Sequence, residues 1–198
     1  MIERKDLETA AATYSYLRGL FYIPGGALLI VAALANSGVG LLRHVWAFPV
    51  AAGLLGLMCL RVARYYNDHY GRLNPSPRQQ LRAGAAVLVA LVVMGGGSTL
   101  MRSRASWSLD LPVNAIAVSF ALVMLVSYAV GVGLKVHHVL IWGALLVTGA
   151  LPVWDGADPS NIGLALAGAA LMVSGLFDHH LFVRTFGAAK EPLEVSDV

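Results

Sequence analysis

Three short groups, Asp68-His69, His137-His138 and Asp178-His179-His180, carry the side chains of this sequence that could do chemistry. Of the six histidines only His44 falls elsewhere. Imidazole nitrogens combined with carboxylate oxygens suit a divalent ion such as zinc, or proton transfer near neutral pH. The same letters also serve as a plain polar network in which Asp and His pair with Arg61, Arg64 and Arg184. The spacing matches no recognised metal motif, and adjacent helical side chains point about 100° apart, which works against both rings of a His-His pair reaching one ion. If an ion is held, Asp68, His137, Asp178 and His179 are the candidate ligands. No Gly-x-Ser-x-Gly, phosphate loop, His-Glu-x-x-His or dinucleotide fingerprint is present, so no catalytic residue is assigned.

The elements that position these groups are apolar. The chain has 198 residues, is 58% hydrophobic and 13% charged, a balance that soluble domains rarely show. Six stretches approach the length of about 20 residues that a bilayer crossing requires: 20–36, 46–60, 83–101, 113–134, 139–153 and 162–182, of which the second and fifth are short and are expected to extend into charged flanks such as Arg61 to Arg64. The turn residues Ala35-Asn36-Ser37-Gly38, Asn74-Pro75-Ser76-Pro77 and Asp155-Gly156-Ala157-Asp158-Pro159-Ser160 separate them. Arg4, Lys5, Arg18, Arg61, Arg64, Arg72, Arg78, Arg82, Lys135, Arg184 and Lys190 fall in alternate gaps, against Arg43, Arg102 and Arg104 in the others. By the positive-inside rule the larger set faces the cytoplasm. The expected fold is therefore an all-α integral membrane protein, a compact bundle of six transmembrane helices with both termini cytoplasmic. Residues 1–187 form one domain, residues 7–18 lie at the interface or extend the first helix, and 188–198 form a flexible tail. Trp46, Trp107 and Trp154 mark the outer boundary, and Tyr65, Tyr66 and Tyr70 the inner one.

Each even-numbered stretch ends inside and carries an ionisable motif there, which suggests three consecutive helical hairpins. The interiors hold Asn36, Ser119, Ser127, Thr148 and Ser174 but no acid or base, which counts against a proton antiporter. Pro24-Gly25-Gly26 and Gly95-Gly96-Gly97 either break helices, as in transporters, or allow close packing, the commoner use. The pairs Ala52 and Gly56, Ala117 and Ala121, Ala129 and Gly133, and Ala165 and Ala169 have the four-residue spacing of close helix contacts. The lone Cys59 excludes an internal disulfide. The net charge of +3 comes from residues flanking apolar stretches and belongs with lipid headgroups rather than nucleic acid. No removable signal peptide is read at the start. The preference for Arg over Lys fits a GC-rich bacterial genome.

The stretches running from Arg64-Tyr65-Tyr66 to Tyr70-Gly71-Arg72 and from Gly175-Leu176-Phe177-Asp178-His179 to Arg184 resemble uncharacterised bacterial six-helix membrane proteins, a resemblance that implies no activity and no site residue. The expected function is non-enzymatic: a multi-spanning protein of the bacterial inner membrane, binding no cofactor. Its cytoplasmic face, Arg64, Tyr66, Asp68, His69, Tyr70, Arg72, His137, His138, Asp178, His179 and Arg184, engages a cytosolic or membrane partner, with a homo-oligomer also open. The alternatives are a transporter or channel for a small or apolar solute, using the two glycine segments, and an interfacial enzyme acting through a metal or on a lipid headgroup.

Overall fold

Long apolar runs with no internal breaker have one way to satisfy their backbone groups away from water, the α-helix. The structure, a computed structural model, describes residues 14, 17–70, 81, 113–131, 133–151 and 159–186, and these form helices joined by turns. A 3-10 turn, Gly19–Phe21, leads into α1, Tyr22–Asn36. A second 3-10 turn, Gly40–Arg43, precedes α2, Ala47–Tyr70. Then follow α3, Ala115–Gly131, α4, Val136–Ala150, and α5, Pro159–Phe186. Among the described residues, three segments are long and apolar enough to cross a membrane: Gly19–Asn36, Ala47–Tyr70 and Ser160–Phe186. The helices Ala115–Val130 and Val136–Ala150 are apolar but shorter. The 83–101 stretch, Gly95 to Gly97, Arg72, Trp107, Trp154 and the 188–198 tail lie outside the described residues.

Several boundaries differ from the sequence reading for physical reasons. The second stretch extends through Arg61 to Arg64 as expected and runs further, to Tyr70, because the segment from Arg61 contains no Gly or Pro and its arginines are good helix formers. Arg61 and Arg64 remain exposed. Pro49 sits in the first turn of α2, where a missing backbone donor costs nothing. Pro24 occupies the same place in α1, and the helix runs unbroken through Gly25 and Gly26.

What Gly26 does is admit another helix. A Cβ there would overlap the carbonyl oxygen of Gly168 and the Met172 side chain, and one on Gly168 would overlap the carbonyl oxygen of Gly26. About two turns along, Gly19 and Gly175 meet in the same reciprocal manner. Since Gly19 faces Gly175 and Gly26 faces Gly168, α1 and α5 run antiparallel, backbone against backbone. The helices therefore approach through glycines spaced seven apart, not through the four-residue pairs expected. Of those pairs, only Ala117 and Ala121 are both buried. Gly56 has open space around it, Gly133 lies in a turn with φ +86°, and Ala169 is exposed.

The core between α3, α4 and α5 is built on Ala117, Ala121, Tyr128, Trp142, Leu145, Ala167 and Leu171. Asn114 fixes one end of it. Its side-chain oxygen accepts the Ala117 N–H at 3.1 Å, a helix N-cap, while its own N–H donates to the Gly149 carbonyl at 2.8 Å. A side chain on Gly163 would strike the Asn114 amide. One buried residue thus ties α3, α4 and α5 together at the end opposite the histidines.

Candidate functional site

The site begins with a tight turn. After Gly131 the chain reverses through Gly133, whose φ of +86° is costly for other residues, and its N–H donates to the Tyr128 carbonyl at 2.9 Å. Four residues are then enough to bring the last turn of α3 beside the first turn of α4. Tyr128 consequently stacks on His138, with ring centroids 3.6 Å apart and an interplanar angle of 23°. His138 also belongs to the cap of α4, where its Nδ1 accepts the Lys135 backbone N–H at 3.4 Å. That contact places the ring proton on Nε2, the nitrogen pointing away from the turn.

The Nε2 of His138 lies 2.9 Å from Oδ1 of Asp178, and the Nε2 of His137 lies 3.0 Å from the same oxygen. On the other carboxylate oxygen, Oδ2, the Tyr128 hydroxyl donates at 2.9 Å. An ionised carboxylate only accepts, so all three partners present hydrogens to it. Tyr128 spends its single proton on Asp178, which leaves Ser174 Oγ, 3.3 Å away, as the donor in their contact. Asp178 and Ser174 are fully buried, His138 is 1% exposed, and the His137 side chain, 20% exposed, is the group of the triad that reaches outside. Lys135 stands at the rim. Burial in the turn pulls its ammonium below the ordinary lysine value, and the Asp178 charge opposes that shift.

Two sequence expectations are corrected here. The interior of the bundle is not free of acids and bases: Asp178 sits within the long apolar segment Ser160–Phe186, about two turns before its end. Adjacent histidines also do reach one point. His137 and His138 occupy the first turn of α4, and their ring centroids are only 4.1 Å apart. The carboxylate of α5 is positioned between their tips rather than in front of one helix face.

Chemically, His137, His138 and Asp178 offer two imidazole nitrogens and one carboxylate oxygen, all lying within 4.8 Å of one another. Zinc and similar divalent ions accept such a set. Of the four candidate ligands, the structure brings together His137 and Asp178, adds His138, and places Asp68 and His179 elsewhere. Asp68 is exposed on α2. His179 projects about 100° around α5 from Asp178, as the helical repeat dictates, and its Nδ1 lies 2.9 Å from the hydroxyl of Tyr66.

This second cluster has a different make-up. Tyr66 is fully buried, so it is not a lipid-facing belt residue, and its hydroxyl accepts the Leu20 N–H at 3.3 Å. Tyr14, Leu17 and Phe182 close around it. Arg18 lies over the Phe21 and Tyr66 rings at 4.9 Å each and the Tyr14 ring at 5.9 Å. Tyr70 packs edge-on against Phe182 with centroids 4.7 Å apart. His69 is exposed and its Nδ1 bonds the Tyr65 carbonyl at 2.9 Å. Arg64, His180 and Arg184 are exposed, and among the described residues neither arginine pairs with Asp178.

Tyr128 and Asn114 escaped the sequence reading. Tyr128 was submerged in the apolar run of α3, and its polar tip, the one phenol of that run, was the available signal. Trp142 was also missed; it is fully buried on α4 one turn beyond His138, and its Nε1 has no hydrogen-bond partner among the described residues. Comparison with protein-family models, with curated proteins and with solved structures finds no match for the chain.

Proposed function

We propose that this is a small membrane-embedded metal-binding protein in which a divalent ion of the zinc class is held by His137, His138 and Asp178. The observation that carries the reading is the convergence of three donor atoms of the right chemistry, two on buried residues and one on the partly exposed His137, from α4 and from α5. Tyr128 and Ser174 supply the outer hydrogen bonds that orient a ligating carboxylate. To ligate through Nε2, the His138 ring moves its proton to Nδ1, giving up the 3.4 Å contact with Lys135. That bond is long and its loss is a modest cost. Three protein ligands leave one coordination position, and the partly exposed edge of His137 is the side from which water or a ligand reaches it. The charge asymmetry supports a bacterial inner-membrane location with six crossings and cytoplasmic termini, the site then lying at the inner end.

The test is elemental analysis of protein purified without a histidine tag and equilibrated with zinc. The expected result is stoichiometric metal in the wild type and in Asp68→Asn and His180→Ala, and its loss in Asp178→Asn and His138→Ala. Sub-stoichiometric metal in the wild type overturns the reading and leaves the triad as a hydrogen-bonded pin.

A second reading, engagement of a cytosolic or membrane partner, rests on a different surface. Arg61, Arg64, Asp68, His69 and Arg184 are all exposed, and none of them is consumed by the buried clusters apart from the local His69 bond. Charge reversal at Arg64, Asp68 and Arg184 is expected to abolish co-purification of a stoichiometric partner in mild detergent. Recovery of no such partner with the wild type would remove this reading.

A further inference from the structure

Among the described residues, Arg18 is a cation without an anion. Its Nε is buried and has no hydrogen-bond partner, and the guanidinium is held by the rings of Tyr14, Phe21 and Tyr66. No carboxylate pairs with it among the described residues. Aromatic faces hold an arginine in place through their ring quadrupoles and neutralise little of its charge. The residue stands at a boundary: the apolar segment Gly19–Asn36 begins immediately after it. The same end of the bundle carries Tyr66 near the end of α2 and Phe182 near the end of α5, both packed against Tyr14 or one another. An immobilised planar guanidinium at the edge of an apolar segment, partly open to the outside, is suited to two-point recognition of a phosphate.

We propose that Arg18, in its cradle of Tyr14, Phe21 and Tyr66, binds a phosphate group at the membrane boundary. The two sources of that chemistry are an anionic phospholipid headgroup and free phosphate. The rings set the orientation, and the close Gly19–Gly175 crossing beside it keeps the cradle attached to α5. This site is separate from the His137, His138 and Asp178 cluster and does not depend on it holding a metal.

The experiment is native mass spectrometry of the full chain released from nanodiscs of phosphatidylcholine containing a minor fraction of phosphatidylglycerol. Phosphatidylglycerol should be retained preferentially by the wild type and by Arg64→Gln, whose arginine is exposed, and about tenfold less by Arg18→Gln. Equal retention by Arg18→Gln, or equal loss in Arg64→Gln, overturns the lipid source. A second arm titrates inorganic phosphate into the detergent-solubilised protein and follows its 31P line. Arg18-dependent broadening without lipid retention assigns the site to soluble phosphate, and no effect in either arm overturns the proposal outright. Should Arg18→Gln fail to fold, butanedione labelling of the wild type replaces it. Arg18 is expected to be protected in phosphatidylglycerol discs or in phosphate, and equal labelling in pure phosphatidylcholine without phosphate overturns the proposal.

Discussion

On one face of α5 the Asp178 carboxylate is enclosed by His137, His138 and Tyr128, and on a neighbouring face His179 meets Tyr66 within a group of aromatic rings around Arg18. The first region buries an anion and answers it with directed hydrogen bonds from two other helices. The second region confines a cation and answers it with ring faces, leaving a donor unused. Burying a carboxylate requires partners in fixed positions, whereas a guanidinium tolerates looser, non-directional contacts. Consecutive residues on one helix thus serve a closed polar centre and a half-open one, and the closed centre should be the more sensitive to the loss of a single side chain.

Removing the acid should break the comparison most severely. Asp178→Ala strands two imidazoles and a phenol in an apolar interior, and a loss of about 3–5 kcal/mol is expected, read as a large fall in unfolding temperature in detergent. His138→Ala should cost less, about 2–3 kcal/mol, because it removes a buried donor and the Tyr128 stack together. His137→Ala at the more exposed position should cost about 1 kcal/mol; if the two histidine variants prove equal, the burial difference between them has no energetic meaning. Across α5, Tyr66→Phe deletes the hydroxyl that accepts from Leu20 and meets His179, and about 1–2 kcal/mol is expected by the same melting measurement. The smallest effect belongs to Asp68→Asn, which should change stability by less than about 0.5 kcal/mol. A loss at Asp68 as large as that at Asp178 would mean that the two regions are not distinct.

The amino-acid sequence conveyed environment far better than assembly. Apolar length and turn residues were enough to locate α1, α3, α4 and α5 within a few positions, since these are properties of each segment alone. The end of α2 lies beyond the Arg61 to Arg64 flank that length alone suggested, because a hydropathy limit is not a helix limit: the segment up to Tyr70 is polar and helical at once. His137, His138, Asp178 and Tyr66 were singled out by residue type. Which of them meet depends on rotation of helices about their axes and on the Gly133 turn, and neither is written in residue type. The glycine crossing shows the same limit, since the seven-residue spacing of Gly19 and Gly26 acquires meaning only beside that of Gly168 and Gly175.

The short turn at Gly133 also bears on how such a chain is made. The ribosome delivers the α3–α4 hairpin complete with His137, His138 and Tyr128 well before it delivers Asp178. An aspartate at the centre of a membrane helix opposes insertion by about 2.5–3.5 kcal/mol, and one placed like Asp178, two turns from the helix end, opposes it by less. Here the donors that receive it are already waiting, so a docked hairpin would lower the barrier to insertion of α5. Biogenesis and site assembly become one event, and a chain carrying Asp178 without the hairpin would be expected to insert α5 poorly.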